Sequence, residues 1–468
     1  MDDIQLAKEE HIRSEESIKE ELTDYIDKQL LRFFEEFNVT KKPIQVNFRN
    51  LVSWVPYSES YTHYIHQYPA KLIKHIPIFF LSSSILNKKK GGVVLDPFCG
   101  SGTVLLEALL SGHNAIGCDS NPLARLIATV KTTSIDPSRL EKYSFSITKR
   151  AKQFRKLTRK NVVNVDHWFP PRTQLQLSKI HRAICEVKNE EERNFLLVTF
   201  SNIVKKTSFA DPNLSVPVKI KPEKYSNDSL RLKLEDKLKK IEQCNIYEVF
   251  DNELKKNIER IRSLHVESIQ NHAIVVSNDA RYITKKLDSD YLYPPNSVDY
   301  ILTSPPYSGA QKYIRSSSLN LGWLDYCEES TLRDYERQNI GREHYSKDEY
   351  NESVSLGIDF VDKMIKDIWL VNPLRAHING NYLLEMEFAL KEMYRVLKPD
   401  CFCTIVIGNN EVCGLNFESH KYLSAIAQRI GFKLELTLID DIHSRGLMTK
   451  RNKTASIINS EWILIFRK

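Results

Sequence analysis

Apolar positions along the chain fall into two patterns, and their alternation predicts the fold. Residues 1 to about 45 mix charges with Leu, Ile and Phe at helical spacing, as in LTDYIDKQLLRFFEEF, and predict one or two amphipathic helices. From about Gly91 the pattern shortens. VVLDPF is an apolar run ending in Asp-Pro, the Gly-rich turn CGSG follows, then a helix, TVLLEALLSG, stopped by glycine, and a second run, NAIGCD. Strand, loop, helix and strand open a parallel α/β sheet.

Three further buried-looking strands come late: NHAIVVSNDAR, SVDYILTSPPY and CFCTIVIGNN, each ending in polar residues. A long helical region ending in LEMEFALKEMYRVLKPD separates the last two, and Lys398-Pro399-Asp400 is its stop. KLELTLIDDI and SEWILIFRK then close the sheet as an antiparallel pair. From about Pro137 to Glu267 the chain is dense in charge and helical in pattern, with KYSNDSLRLKLEDKLKKIEQ and DNELKKNIERIRSLH reading as exposed helices. The expected organisation is an N-terminal helical segment (1–45), the first part of an α/β domain (46–136), a helical insertion (137–267) and the second part (268–468). No internal repeat is visible.

Composition changes this picture little. At 468 residues, with 41% hydrophobic and 27% charged content, the chain is an ordinary globular one. No run is apolar enough for a bilayer, and the start, MDDIQLAKEEHIRSEE, lacks a secretory core, so a cytoplasmic protein is expected. The net charge of +7 fits a polyanionic partner without demanding one. Eight cysteines form no CxxC pair and read as reduced thiols. His63, His66 and His75 lie near one another but lack the cysteine or acid pattern of a metal site, so none is expected.

Two stretches carry chemistry. In DPFCGSGT, Asp96 ends a strand, and strand ends in an open α/β sheet line the crevice where ligands bind. Gly100 and Gly102 allow a sharp turn and close approach, and Thr103 opens a helix whose free N–H groups favour an anion. Asp119 ends the next strand, placed to accept from ribose hydroxyls. Leu105 stands where a dinucleotide fingerprint has its third glycine, and the P-loop pattern is absent, so the reading is a nucleoside cofactor of another kind. The second stretch is TSPPY, residues 303–307. Two prolines neither continue a helix nor donate to a ladder, so a strand runs into a stiff extended loop with unopposed carbonyl acceptors and an aromatic face beside them.

Together these stretches resemble the amino-group DNA methyltransferases, which use S-adenosylmethionine to methylate N4 of cytosine or N6 of adenine. The signatures are an FxGxG-type loop, here Phe98-Cys99-Gly100-Ser101-Gly102, and a (D/N/S)PP(Y/F/W) loop, here Ser304-Pro305-Pro306-Tyr307. VSNDAR is similar to the segment whose acid meets the adenine ring, which implies that role for Asp279, and HYIHQYPAKL to the motif packing near the methionine end. RVLKPD, CFCTIVIGNN and WILIFRK resemble the late sheet. The resemblance covers roughly half the chain. It implies a Rossmann-like class I methyltransferase fold, a mostly parallel doubly wound sheet with the helical insertion as target-recognition region. It also implies S-adenosylmethionine bound by Asp96, Phe98, Gly100, Ser101, Gly102, Thr103, Asp119 and Asp279, and catalysis by Ser304, Pro305, Pro306 and Tyr307. The implied partners are double-stranded DNA and a cognate restriction endonuclease, with oligomeric state left open.

The loop suits the reaction. An exocyclic amino group is a poor nucleophile because its lone pair is delocalised into the ring. Acceptors on both N–H bonds favour a pyramidal nitrogen able to attack the sulfonium methyl, and the Ser304 hydroxyl and Pro305 carbonyl are fixed acceptors of that kind. Tyr307 offers a stacking face for a base taken out of the duplex. No Pro-Cys dipeptide occurs, so the cysteine-nucleophile route to cytosine C5 is unsupported. Serine at the head of the loop points to cytosine N4, whereas cofactor loop before catalytic loop is the order of many adenine enzymes. Adenine N6, an RNA or tRNA base, and a non-catalytic DNA-binding subunit stay as alternatives. HWFPPR reads as a nucleic-acid contact or a loop capping a helix, and Lys205, Lys206 and VKIKPEK as a weak basic patch.

Overall fold

The computed structural model describes residues 2–53, 61–69, 71–155, 160, 162–266, 269–308, 313–328, 331–442 and 459–468, with side chains from residue 17 onward except Ile18 and Val266. Ala70 of HYIHQYPAKL and Glu267, the expected end of the insertion, lie outside them. The strands are β1 (Ile44–Val46), β2 (Val93–Asp96), β3 (Asn114–Cys118), β4 (Ala273–Ser277), β5 (Val298–Thr303) and β6 (Leu397–Gly408). A small hairpin of β7 (Asn410–Val412) and β8 (Leu415–Phe417) follows, then β9 (Lys433–Asp441) and β10 (Ser460–Arg467). Eight of them form one sheet in the order β1-β9-β10-β6-β5-β2-β3-β4. Every neighbouring pair is parallel except the two made by β10, which is antiparallel to both β6 and β9.

That order defines the class I methyltransferase fold. From β2 the chain steps outward to β3 and β4, then returns to the other side of β2 as β5, so the direction of winding reverses between β2 and β5. Ligands bind at the carboxyl edge at such a reversal. Both sheet faces are covered, as parallel strands require. Val94 and Tyr300 face a core with the helices His75–Leu81 and Thr103–Leu110, while Leu95 and Ile301 face one with Asp359–Val371, Pro373–Val396 and Ser419–Ile430.

The N-terminal segment is a single helix, Asp2–Thr40, whose Leu22, Ile26, Leu30, Phe33 and Phe37 are buried against the sheet at helical spacing. Its end feeds β1, an edge strand of three residues that the sequence pattern did not announce. The insertion between β3 and β4 is helical, as expected, with one correction. Helix Ile246–Val266, read from its charge as exposed, buries Phe250, Leu254, Asn257 and Ile261 completely. Glu248, Lys255, Lys256, Glu259 and Arg262 are exposed while Asp251 and Glu253 are buried with the apolar face, whereas the preceding helix Asp228–Gln243 buries only Ile241.

The insertion also shares one core with the sheet's flanking helices. Leu123 and Ile127 of helix Pro122–Thr132 and Trp323 of helix Tyr313–Trp323 join Phe195, Phe200 and Phe250. The Trp323 ring meets Phe169 and Phe200 edge-on, with centroids 5.5 and 6.3 Å apart. Among the described residues no helix is long and apolar enough to cross a membrane.

Candidate active site

The two glycines of the first loop serve different ends. Both have positive φ, +49° at Gly100 and +77° at Gly102. A Cβ on Gly102 would stand 2.9 Å from Cα and Cβ of Ala128, so this glycine lets the loop pack on the helix after β3. A Cβ on Gly100 would meet nothing within 4 Å, because that position faces an open crevice. The Gly100 N–H donates to Asp119 Oδ2 at 2.9 Å and the Asn121 N–H to Asp119 Oδ1 at 2.8 Å, so the end of β3 holds the loop. Burial pushes the Asp119 carboxyl up to about 6.

The predicted cofactor residues divide accordingly. Phe98, Gly100, Asp119 and Asp279 line the crevice. Asp96, Ser101, Gly102 and Thr103 lie behind it as support: Ser101 is buried and accepts from the buried Lys131 Nζ at 3.4 Å, and Thr103 is buried at its helix start. Asp96 is also buried, which pushes its carboxyl up to about 7. Its Oδ1 accepts from Phe98 N–H at 3.1 Å and from the Thr303 hydroxyl at 2.6 Å. Asp279 is already gripped by Arg281, whose Nη2 donates to Oδ2 at 2.9 Å, and Arg281 reaches on to Glu385.

The second loop begins where β5 ends. Ser304 and Pro306 line the same crevice as Gly100 and Asp119, and Pro305 is buried between them. Ser308 fastens the next turn, donating to Asn379 Oδ1 at 2.6 Å and accepting from Asn410 Nδ2 through its carbonyl at 3.0 Å. Tyr307 is half-buried, and its hydroxyl donates to Glu461 Oε1 at 3.2 Å. All four predicted catalytic residues therefore stand at the carboxyl edge beside the first loop.

Sequence reasoning missed several neighbours. Asn121 Nδ2 donates to Tyr68 Oη at 3.0 Å and to Ser317 Oγ at 3.1 Å, which joins HYIHQYPAKL, the helix after β3 and the helix after the catalytic loop at one end of the crevice. The histidines of that segment are packing groups. His63 pairs with Glu107 at 2.6 Å, and His66, lowered to about 3 by burial, sits 3.2 Å from Ser201. No cluster of metal-ligating side chains exists among the described residues.

A cleft of about 710 Å³ opens outward from Pro306 and Tyr307, and Arg315, Arg333, Arg337 and Arg342 line it together with Glu336, Glu343 and Glu349. These arginines lie on a segment to which the sequence pattern assigned no role. The expected basic patch is weaker. Lys205 is bound to the carbonyls of Leu214 and Ser215, and Lys206 to Glu253 at 2.9 Å. HWFPPR resolves as a helix start, with Phe169 buried and Pro171 in the first turn of helix Pro171–Cys185.

The family model for DNA methylases of the N6/N4 type matches residues 5–129. Type II methyltransferase M.MvaI of Kocuria varians is 24% identical over 421 residues, spanning 85% of this chain and 88% of the relative. Type II methyltransferase M.BsoBI of Geobacillus stearothermophilus is 23% identical over 465 residues, 87% of this chain and 84% of the relative. Among solved structures, a DNA modification methylase of Thermus thermophilus, complexed with S-adenosyl-L-methionine, matches 38% of this chain and 49% of its own at 19% identity, with a TM-score of 0.20. The fold rests on the strand order above, not on that score. Both signature loops meet at the edge that this order selects, and the family model and these relatives support the amino-group DNA methyltransferase family.

Proposed function

We propose that this protein transfers the methyl group of S-adenosylmethionine to the N4 amino group of a cytosine within a short specific sequence of duplex DNA. The observation that carries the reading is the crevice shared by Ser304 and Pro306 with Gly100 and Asp119, its two halves tied by the bond from Thr303 to Asp96 at 2.6 Å.

The residues present fit the cofactor. Gly100 leaves its side of the crevice open, and the Asp119 carboxylate has lone pairs left for ribose hydroxyls after its two backbone bonds. Phe98 and Ile340 offer apolar walls, and Asp279, oriented by Arg281, stands at the end of the third strand in the row. Bound there, S-adenosylmethionine supplies an electrophilic sulfonium methyl. The Ser304 hydroxyl and Pro305 carbonyl accept from the two amino N–H bonds and so free the nitrogen lone pair, while the Tyr307 face stacks on the extruded base. The arginine-lined cleft beside Tyr307 suits the phosphates that flank that base.

Serine at position 304 favours cytosine. The order of the two loops favours adenine N6 as the second reading, by the same machinery. The insertion at 137–267 serves as target-recognition region, and the enzyme works in the cytoplasm as the protective partner of a restriction endonuclease, a role supported by relatives named Type II methyltransferases. Incubation with methyl-labelled S-adenosylmethionine and either duplex DNA or RNA tests the substrate. Label should enter the DNA. Labelling of RNA alone would overturn the reading.

A further inference from the structure

We propose that Glu461 receives the proton released on methyl transfer, through a relay that begins at the Ser304 hydroxyl and passes the Tyr307 hydroxyl. The inference rests on the function proposed above. Because β10 runs antiparallel to its neighbours, its first residues lie at the carboxyl edge of the sheet, and Glu461 pairs there with Gly408 of β6 and Asp440 of β9. The Tyr307 hydroxyl donates to Glu461 Oε1 at 3.2 Å. The Ser304 hydroxyl is in turn hydrogen-bonded to the Tyr307 oxygen, in the sense that favours negative charge on that oxygen. The Tyr307 O–H points toward Glu461, and the Ser304 oxygen keeps a lone pair for an amino N–H.

The steps balance. The amino nitrogen gives its electron pair to the methyl carbon, and the carbon–sulfur bond breaks with its pair staying on sulfur. The nitrogen, now carrying a positive charge, loses a proton to Ser304 Oγ. The Ser304 proton moves to Tyr307 Oη, and the Tyr307 proton moves to Glu461 Oε1. The carboxylate ends as a carboxylic acid, which returns the proton to solvent.

The surroundings of Glu461 suit this task. Burial pushes its carboxyl up to about 7, with the Tyr307 bond opposing and the negative field of Asp440 on β9 assisting. From β6 the facing residue is Gly408, which carries no charge. His420 stacks on Trp462 next door with centroids 3.5 Å apart, and burial lowers it to about 4, so it stays neutral near pH 7. A base of this strength takes a proton and gives it up again near neutrality. Glu461 acts through Tyr307 and does not touch the base, so it is a positioning and relay residue.

The test is the pH dependence of single-turnover methyl transfer to unmodified duplex DNA by the full chain. The wild-type rate should rise with pH through about 7. Glu461→Gln should be about tenfold slower or more and lose that limb. Tyr307→Phe keeps the stacking ring and should show the same loss, and the double variant should be no worse than either. A second readout needs no turnover. In carboxyl-¹³C glutamate spectra of the cofactor-free protein, the resonance missing from Glu461→Gln should titrate near pH 7 and move upward in Tyr307→Phe, which removes the donor to the carboxylate.

An unchanged pH limb in both variants, or a Glu461 midpoint below 5, would overturn the relay. If Glu461→Gln does not fold, Tyr307→Phe carries the pH limb, and the glutamate resonance titrating near pH 7 that moves upward in Tyr307→Phe is the one followed. Absence of methyl transfer by the wild-type protein would instead defeat the proposed function, leaving the titration to judge Glu461.

Discussion

The Thr303 hydroxyl donates to the buried Asp96 carboxyl at 2.6 Å, joining the ends of β5 and β2 across the point where the sheet reverses its winding. The loops that follow β5 and β2 are therefore linked by this hydrogen bond in addition to the parallel ladder between the two strands. Their relative position is set by the sheet, which is the rigid kind of support a transfer site needs.

That carboxyl makes stability depend on pH. Burial raises Asp96 to about 7, above the value of about 3.9 for an unfolded aspartate. The protonated acid thus favours the folded state fully below about pH 4, and the benefit is lost as pH rises through about 7. The melting temperature of the cofactor-free protein should fall between pH 5 and 8, and Asp96→Asn should flatten that fall. Asp119 and Glu461, raised to about 6 and about 7, should keep part of the slope. Identical slopes in variant and wild type would contradict the assignment.

Asp119 holds the Gly100 amide and leaves lone pairs facing the crevice. Asp119→Ala should weaken S-adenosylmethionine binding by tenfold or more, since a charge-assisted hydrogen bond is worth about 1.5–3 kcal/mol. Calorimetry on the folded variant measures it, and unchanged affinity would remove Asp119 from the cofactor site.

The two loop glycines should separate by assay. Gly102→Ala places a Cβ against Ala128 at 2.9 Å and should cost about 1–3 kcal/mol of stability, with φ strain added. Gly100→Ala meets no atom of the fold and should lose less stability, yet it intrudes on the crevice and should weaken cofactor binding. Denaturant midpoints and calorimetry on both variants should show this crossing of effects. Equal losses in both assays would refute it.

Trp323 joins the insertion to the α/β core through Phe169 and Phe200. Trp323→Ala should cost about 3–5 kcal/mol and shift a single unfolding transition. Two separate transitions in the wild type would show instead that the insertion unfolds by itself. Because Leu123 and Ile127 share that core, deleting about 140 to 265 should expose them and leave an aggregating protein.

Local pattern in the sequence carried the parts of this molecule that are local. The Gly-rich turn after β2 was legible because strand, turn and helix follow one another within DPFCGSGT and its neighbours. The stiff loop after β5 was legible because two prolines after an apolar run neither continue a helix nor donate to a ladder. The closing antiparallel pair was read from two apolar runs near the end. Contacts made over long sequence distances were not legible. Glu461 lies far from Tyr307 in the chain and reaches it only because β10 runs antiparallel, and Asn121 meets Tyr68 and Ser317 only through helix packing. Charge density hid the buried face of helix Ile246–Val266, whose apolar positions lie among lysines and glutamates. The arginines of the outer cleft were hidden likewise, since they are interspersed with acids along 313–349.

The proposed role of Ser304-Pro305-Pro306-Tyr307 is to direct a methyl group to the amino nitrogen of cytosine. Unmodified duplex DNA treated with the protein and labelled S-adenosylmethionine, then digested to nucleosides and resolved by mass, should yield label in N4-methylcytosine. Ser304→Ala should lower that yield about a hundredfold, because one fixed acceptor is lost in the transition state. Label found only in N6-methyladenine, or full activity in Ser304→Ala, would contradict the account.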